Sequence, residues 1–198
     1  MTSIASKVVN DLEKSGYRAC ITSVDRLCDL EAEYLSYTQR AVWKNSPHLR
    51  QHQFQFQPPP TLKNARSIIT VAAPVAPVKL CFEYQGHYYP VDAPPLSTDF
   101  ECDLDIVIGI IKKVISVTGY RLVEANVPTK LIASHAGLLE NGLNNMGYIT
   151  GLGSFLRLTA FFSDMPPCET MWGDHQICPT CRDCGACVEI CPTDCLQP

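Results

Sequence analysis

The residues best able to do chemistry lie near the carboxyl end, in the run Cys181-Arg-Asp-Cys184-Gly-Ala-Cys187-Val-Glu-Ile-Cys191-Pro192. Gaps of two, two and three residues followed by proline are the bacterial ferredoxin spacing, which places successive thiolates on different irons of one cubane. Gly185 permits close backbone approach, and Pro192 turns the chain after the last thiolate. The expected cofactor is a 4Fe-4S cluster, one or two per protein, with Cys181, Cys184, Cys187 and Cys191 as metal ligands. Zinc is the competing reading, because Cys178-Pro-Thr-Cys181 and Cys184-Gly-Ala-Cys187 each resemble a knuckle. Two zinc knuckles normally stand a dozen or more residues apart so that they can face each other, and here only two residues intervene.

In two-cluster ferredoxins the fourth cysteine of such a run serves the other cluster. Either further cysteines lie beyond Pro198, or Cys178, Cys191, Cys195 or Cys168 completes a single cluster. His175 reads as a solvent-exposed neutral histidine, with unusual ligation as the alternative. His135 has Leu139, not a ligand, one helical turn later and reads as structural.

Seven of the eleven cysteines fall in residues 164–198, which also carry six acids against Arg182 alone, whereas residues 1–163 hold 15 basic and 14 acidic residues. The remaining cysteines, at 20, 28, 81 and 102, read as small buried hydrophobes. The whole chain has 198 residues, net charge -4, 46% hydrophobic and 18% charged residues, so it can bury a core and is not disordered. No basic run exceeds Lys112-Lys113, and DNA binding is not expected. Met1 to Tyr17 carries four charges within its apolar pattern, unlike a secretion signal, and no apolar stretch is long enough for a membrane span. A cytoplasmic protein is the reading, and in a reducing compartment clustered thiols bind metal rather than form disulfides.

The elements that must position the cysteines are legible upstream. Ser3 caps a helix with Ile4, Val8, Val9 and Leu12 on one face, ended by Gly16. Tyr17 to Val24 reads as a strand, and Asp25 as the cap of a second helix bearing Leu27, Leu30, Tyr34 and Leu35. Residues 46–60 read as an irregular segment docked by Phe54 and Phe56, and Ser67 to Ala73 as a central strand covered on both faces. Val78 to Tyr84 and His87 to Val91 form a hairpin about Gln85-Gly86, with Pro90, Pro94 and Pro95 ending regular structure. The spacing of Val107, Ile110, Ile111, Val114 and Val117 predicts a helix over 103–118, stopped by Gly119. A strand over 120–125, a helix opened by Pro128 and running to about Leu138, and a strand over 155–162 follow. The fold class is a layered α/β (α+β) sheet-and-helix domain, residues 1–167, followed by a small ferredoxin-like iron-sulfur module, residues 168–198.

Read together with the cysteine run, several pieces carry a family resemblance. They are Ala65-Arg-Ser-Ile-Ile-Thr-Val71, Gly119-Tyr-Arg121, Val127-Pro-Thr-Lys-Leu-Ile-Ala133 leading to Ala136-Gly-Leu138, and Gly142-Leu-Asn-Asn145. Gly151-Leu-Gly-Ser-Phe-Leu-Arg-Leu-Thr-Ala-Phe-Phe-Ser-Asp-Met-Pro166 and Cys191-Pro-Thr193 complete the series. The sequence resembles the epoxyqueuosine reductase-like iron-sulfur proteins and, more distantly, corrinoid-dependent reductive dehalogenases.

That resemblance implies an iron-sulfur oxidoreductase whose cluster delivers electrons to a corrinoid (cobalamin) or to a substrate in the amino-terminal domain. The partners it implies are an electron donor such as a flavodoxin or ferredoxin and a small-molecule or modified-nucleoside substrate. It places cofactor contacts at Asn144, Gly153, Ser154 and Arg157; for Gly151 and Gly153 an ordinary turn is the alternative. Lys130 and Arg157 read either as anion-binding residues or as surface salt-bridging ones, and Tyr148 as a proton donor or a packing residue. The different-class alternative is a non-catalytic electron carrier docking to a partner enzyme. The sequence departs from the family where its aspartate proton donor belongs: the position is Ala125, and strand alternation turns the neighbouring Glu124 to the opposite face. No catalytic residue is assigned, and the departures point to a related branch rather than to queuosine chemistry itself.

Overall fold

The computed structural model describes residues 3–39, 54–93, 100–168 and 171–196. Helix α1 spans Ile4–Lys14 because Ser3 Oγ accepts the Ser6 N–H at 3.0 Å and Ala5, Val8 and Leu12 recur on one buried face. Gly16, at φ 89°, ends it in the left-handed region that glycine tolerates. Strand β1, Arg18–Ser23, follows, and then a 3-10 turn, Val24–Arg26, leads into α2, Leu27–Thr38. Ser23, not Asp25, caps this turn: its Oγ accepts the Asp25 N–H at 3.2 Å and bonds the Asp25 carboxylate at 2.8 Å. Leu27 and Leu30 enter the core, while Leu35 is 47% exposed and leaves the expected stripe.

The central strand β2, Ser67–Pro74, is buried from Ser67 to Ala73. After a hairpin of β3, Val78–Tyr84, and β4, His87–Ala93, come α3, Phe100–Ile115, a 3-10 turn, Ser116–Thr118, and Gly119 at φ 75°. The helix starts earlier than 103, and Val117, in the 3-10 turn, is 83% exposed rather than on the buried face. Strand β5, Leu122–Glu124, helix α4, Thr129–His135, and the two-residue strands β6, Glu140–Asn141, and β7, Gly147–Tyr148, lead to β8, Leu156–Ser163. The helix opened by Pro128 is shorter than expected because Gly137, at φ 68°, terminates it.

The main sheet is antiparallel throughout, in the order β1-β2-β8-β5. Alternate residues of its strands face opposite ways, and both ways are covered. Ile21, Ile69, Val71 and Phe161 pack against Val8, Leu12, Val107 and Ile111 of α1 and α3. Ile68 and Phe162 pack against Leu27 and Leu30 of α2 and Ile132 of α4. The continuous apolar run of β2 thus reflects two-sided cover, which an antiparallel strand also requires when helices lie on both faces. The layered mixed α/β architecture expected from the sequence is present.

The β3–β4 hairpin stands apart from this sheet, turning at Gln85 (φ 50°) and Gly86 (φ 75°), the two positive values of a type I′ turn. Pro90 does not end it; it pairs opposite Cys81 in a two-stranded ribbon, where a proline can face the unpaired edge. Pro94, Pro95 and residues 46–53 lie outside the described residues, but Phe54 and Phe56 dock as expected, with ring centroids 5.3 and 5.7 Å from that of Tyr34. Two single-turn helices, α5 at Cys181–Cys184 and α6 at Ala186–Glu189, carry the cysteine run. Among the described residues no helix is long and apolar enough to cross a membrane.

Candidate metal centre

Gly185, at φ 61°, is at once the C-cap of α5 and the N-cap of α6, so the chain reverses sharply between Cys184 and Cys187. A side chain at this φ would be strained, which accounts for glycine here. All four thiols are free and none is fully buried. Among the described residues, no three cysteine sulfurs lie within 4.8 Å of one another. A single zinc ion, with Zn–S of ~2.3 Å, would draw its sulfurs to within roughly 4 Å, whereas a cubane receives them on separate irons.

The Cys191 thiol is acidified by its neighbours. The Thr193 backbone N–H, then the Thr193 hydroxyl, then the Leu196 N–H stabilise its thiolate and bring it down from 9.0 to about 6. The thiolate is the ligating form, so Cys191 is ready to bind metal at neutral pH. In the metal-free chain its alkylation, followed by peptide-resolved mass spectrometry, is expected to rise through a midpoint near pH 6 and level off above it. Thr193→Val moves that midpoint upward; a midpoint unchanged by the substitution would contradict the assignment. Cys195 Sγ lies 3.6 Å from Cys191 Sγ. Cys178 is buried and donates its N–H to Asn141 O at 2.9 Å, tying the run to β6. Cys168 packs instead on the α1–α3 layer.

The cysteines outside the run divide. Burial pushes the Cys20 thiol up to about 12, against the opposing hydrogen bond of Thr70, so it is inert as expected. Cys28 and Cys81 are exposed, contrary to the expectation that they are buried hydrophobes.

The segment entering the run holds a constellation that spacing did not reveal. His135 Nε2 lies 2.6 Å from Glu33 Oε2, and His175 Nε2 lies 2.8 Å from Glu33 Oε1. The Tyr37 hydroxyl donates to Glu33 Oε1 at 2.9 Å. Burial would raise the Glu33 carboxyl, but the hydrogen bonds from His175, His135 and Tyr37, with the charge of His135, hold it below its usual value. His135 Nδ1 is 2.6 Å from Gly173 O, and His175 Nδ1 is 2.6 Å from Ser134 Oγ. His175 is thus half-buried and engaged at both nitrogens, not a free surface histidine. Trp172 stacks on His135 at 5.0 Å, with the Arg26 guanidinium 5.2 Å from its centroid. The partners stand 102 and 142 residues apart in the chain; a search at helical spacing from His135 could not have found them.

The residues that the resemblance implies for a corrinoid each have a local structural setting. Asn144 uses both ends of its amide within its own turn, donating to Tyr148 Oη at 3.1 Å and accepting the Met146 N–H at 3.1 Å. Tyr148 closes over Gly142, where a Cβ would meet its ring at 2.5 Å, so it packs the turn. Gly151 and Gly153 have φ of 82° and 76°, which the turn demands, and a Cβ on either would meet nothing. Ser154 and Arg157 lead into and sit on β8, where Arg157 pairs opposite Ala73. Lys130 is half-buried, is bonded to the Asn145 carbonyl and to its Oδ1, and secures that turn; burial lowers its ammonium. An open cleft lined by Thr61, Lys112, Ile115 and Arg121 shares none of these residues. Ala125 is buried and its N–H bonds Ala160 O at 2.9 Å, so this position holds a methyl group inside the core, and Glu124 is exposed.

Comparison with solved structures shows the fold of epoxyqueuosine reductases. The enzyme from Streptococcus thermophilus matches with a TM-score of 0.61 and 19% identity, over 96% of this chain and 52% of that one. The enzyme from Bacillus subtilis, with its catalytic loop swung out of the active site, matches with 0.55 and 19%, over 96% and 51%. An epoxyqueuosine reductase with an epoxyqueuosine-modified tRNA stem loop matches with 0.54 and 18%, over 96% and 52%. The chain therefore spans about half the length of these structures. No protein-family model and no curated protein matches it.

Proposed function

We propose that the chain is an iron-sulfur oxidoreductase of epoxyqueuosine-reductase type, in which Cys181, Cys184, Cys187 and Cys191 hold a [4Fe–4S] cluster. The observation that carries this reading is the two-two-three-proline cysteine spacing, set on two single-turn helices reversed at Gly185. The shared fold supports it. In this reading residues 1–167 form the α/β domain and 168–198 a ferredoxin-like module, fed by a flavodoxin or ferredoxin.

The cluster supplies one-electron transfer when bound. The chain's own part is to hold it. Thr193 and Leu196 keep Cys191 ionised, the Cys178 N–H fastens the run to β6, and Trp172 packs its approach onto the α2–α4 layer. A corrinoid rests on the resemblance alone, and no step is routed through it. The substrate class is a modified nucleoside, by analogy with the relative that holds a modified tRNA stem loop. The buried Ala125 methyl means that any proton the reaction needs comes from a group other than the family's aspartate.

Anaerobic reconstitution tests the proposal. About four iron and about four sulfide per chain are expected, with broad visible absorption that bleaches on reduction. A colourless chain whose cysteines hold one zinc ion would overturn it.

A further inference from the structure

Two imidazole Nε2 atoms, those of His135 and His175, converge on the two oxygens of the Glu33 carboxylate at 2.6 and 2.8 Å. Gly173 O can only accept, so His135 Nδ1 carries a hydrogen. In the neutral ring Nε2 then presents a lone pair, and it faces a carboxylate oxygen at 2.6 Å. Two acceptors at that separation repel unless positive charge lies between them, either a proton that makes the ring an imidazolium or a metal ion. At His175, Ser134 Oγ accepts the Asn141 amide at 2.6 Å; where its second lone pair takes a His175 Nδ1–H that ring's Nε2 is free as well, and where the hydroxyl instead donates to Nδ1 the Nε2–H points to Glu33.

We propose that Glu33, His135 and His175 form a second metal site, independent of the cysteine run, that takes one divalent ion of the zinc type through two imidazole Nε2 atoms and a carboxylate. The three ligand atoms lie within 4.8 Å of one another, the one such group among the described residues. Their present 2.6 and 2.8 Å contacts need to open by only about 0.5–0.8 Å to become the edges of a tetrahedron with bonds of ~2.0–2.1 Å. Each ligand also has the outer partner that metal sites employ to fix tautomer and orientation. These are the Gly173 carbonyl for His135, Ser134 with Asn141 for His175, and the Tyr37 hydroxyl for Glu33. Two nitrogens and a carboxylate suit zinc, or ferrous or cobaltous ions, rather than magnesium or calcium, and three protein ligands leave a fourth position open. The ion joins α2, α4 and the segment that delivers Cys178, and so fastens the cysteine run to the sheet.

The test uses the full chain with its iron and sulfide loaded anaerobically, and zinc as the probe, titrated against a chromophoric chelator with metals counted on the same sample. One zinc per chain beyond the iron is expected. Glu33→Gln and His175→Ala should weaken it by more than ~100-fold, since loss of an outer partner alone costs about 10–100-fold. Tyr37→Phe, which removes one hydroxyl and threatens folding least, should weaken it by roughly 10-fold. No zinc on the loaded wild-type chain, or zinc undiminished in Glu33→Gln and Tyr37→Phe, overturns the proposal and leaves a protonated histidine-carboxylate pair. Absent iron with zinc still dependent on Glu33 would sink the cluster reading alone.

Discussion

Cys187→Ser leaves the anaerobically reconstituted chain with less than about a tenth of the wild-type iron and sulfide, because a neutral serine hydroxyl cannot replace a thiolate at one corner of a cubane. The visible absorption goes with it. The sheet is expected to survive: residues 171–196 contribute little to the buried core, while α1 to β8 supply nearly all of it, so urea unfolding of the α/β layers should move little. Parallel measurements on Cys191→Ser and Cys195→Ser identify the last ligand, since their sulfurs lie only 3.6 Å apart. Loss with the first and retention with the second is the expected pattern. Full iron in Cys187→Ser would refute the cluster assignment.

Phe162→Ala carries the largest expected cost to folding, about 3–5 kcal/mol. Phe162 is fully buried on β8, the strand that joins β2 to β5, and it packs in the layer of Leu30, Ala125, Val127 and Ile132. Helices on one side and three strands around it leave little room for collapse, so the cavity remains largely open. Phe155→Ala, one residue before the same strand and 46% exposed, should stay within about 0.5 kcal/mol. Urea midpoints with unchanged slopes measure both. Equal destabilisation by the two would contradict the two-sided packing of the sheet.

Local signals made most of this architecture readable. Helices α1 and α3 announce themselves through apolar periodicity and terminal glycines, and β2 through an unbroken buried run. The misreadings occur where two groups compete for one role. Ser23 rather than Asp25 caps the turn because the Asp25 carboxylate is itself engaged by the Ser23 hydroxyl. Val117 keeps helical spacing, but the helix tightens to 3-10 and swings it outward. Pro90 is tolerated because its strand has a free edge.

The same rule divides the chemistry. The cysteine run is contiguous, so its ligand spacing can be read directly. Glu33, His135 and His175 come from three distant segments, and only the packing of α2 and α4 on one sheet face brings them together.

The strand order has a consequence for biosynthesis. Because β2 takes its second neighbour from residues 156–163, the sheet stays half-made until those residues have been synthesised. Pairings so distant in sequence slow the search for the native topology. The cysteine run follows β8 in the chain, so the thiols that the proposed cluster needs are synthesised only after the last strand of this sheet.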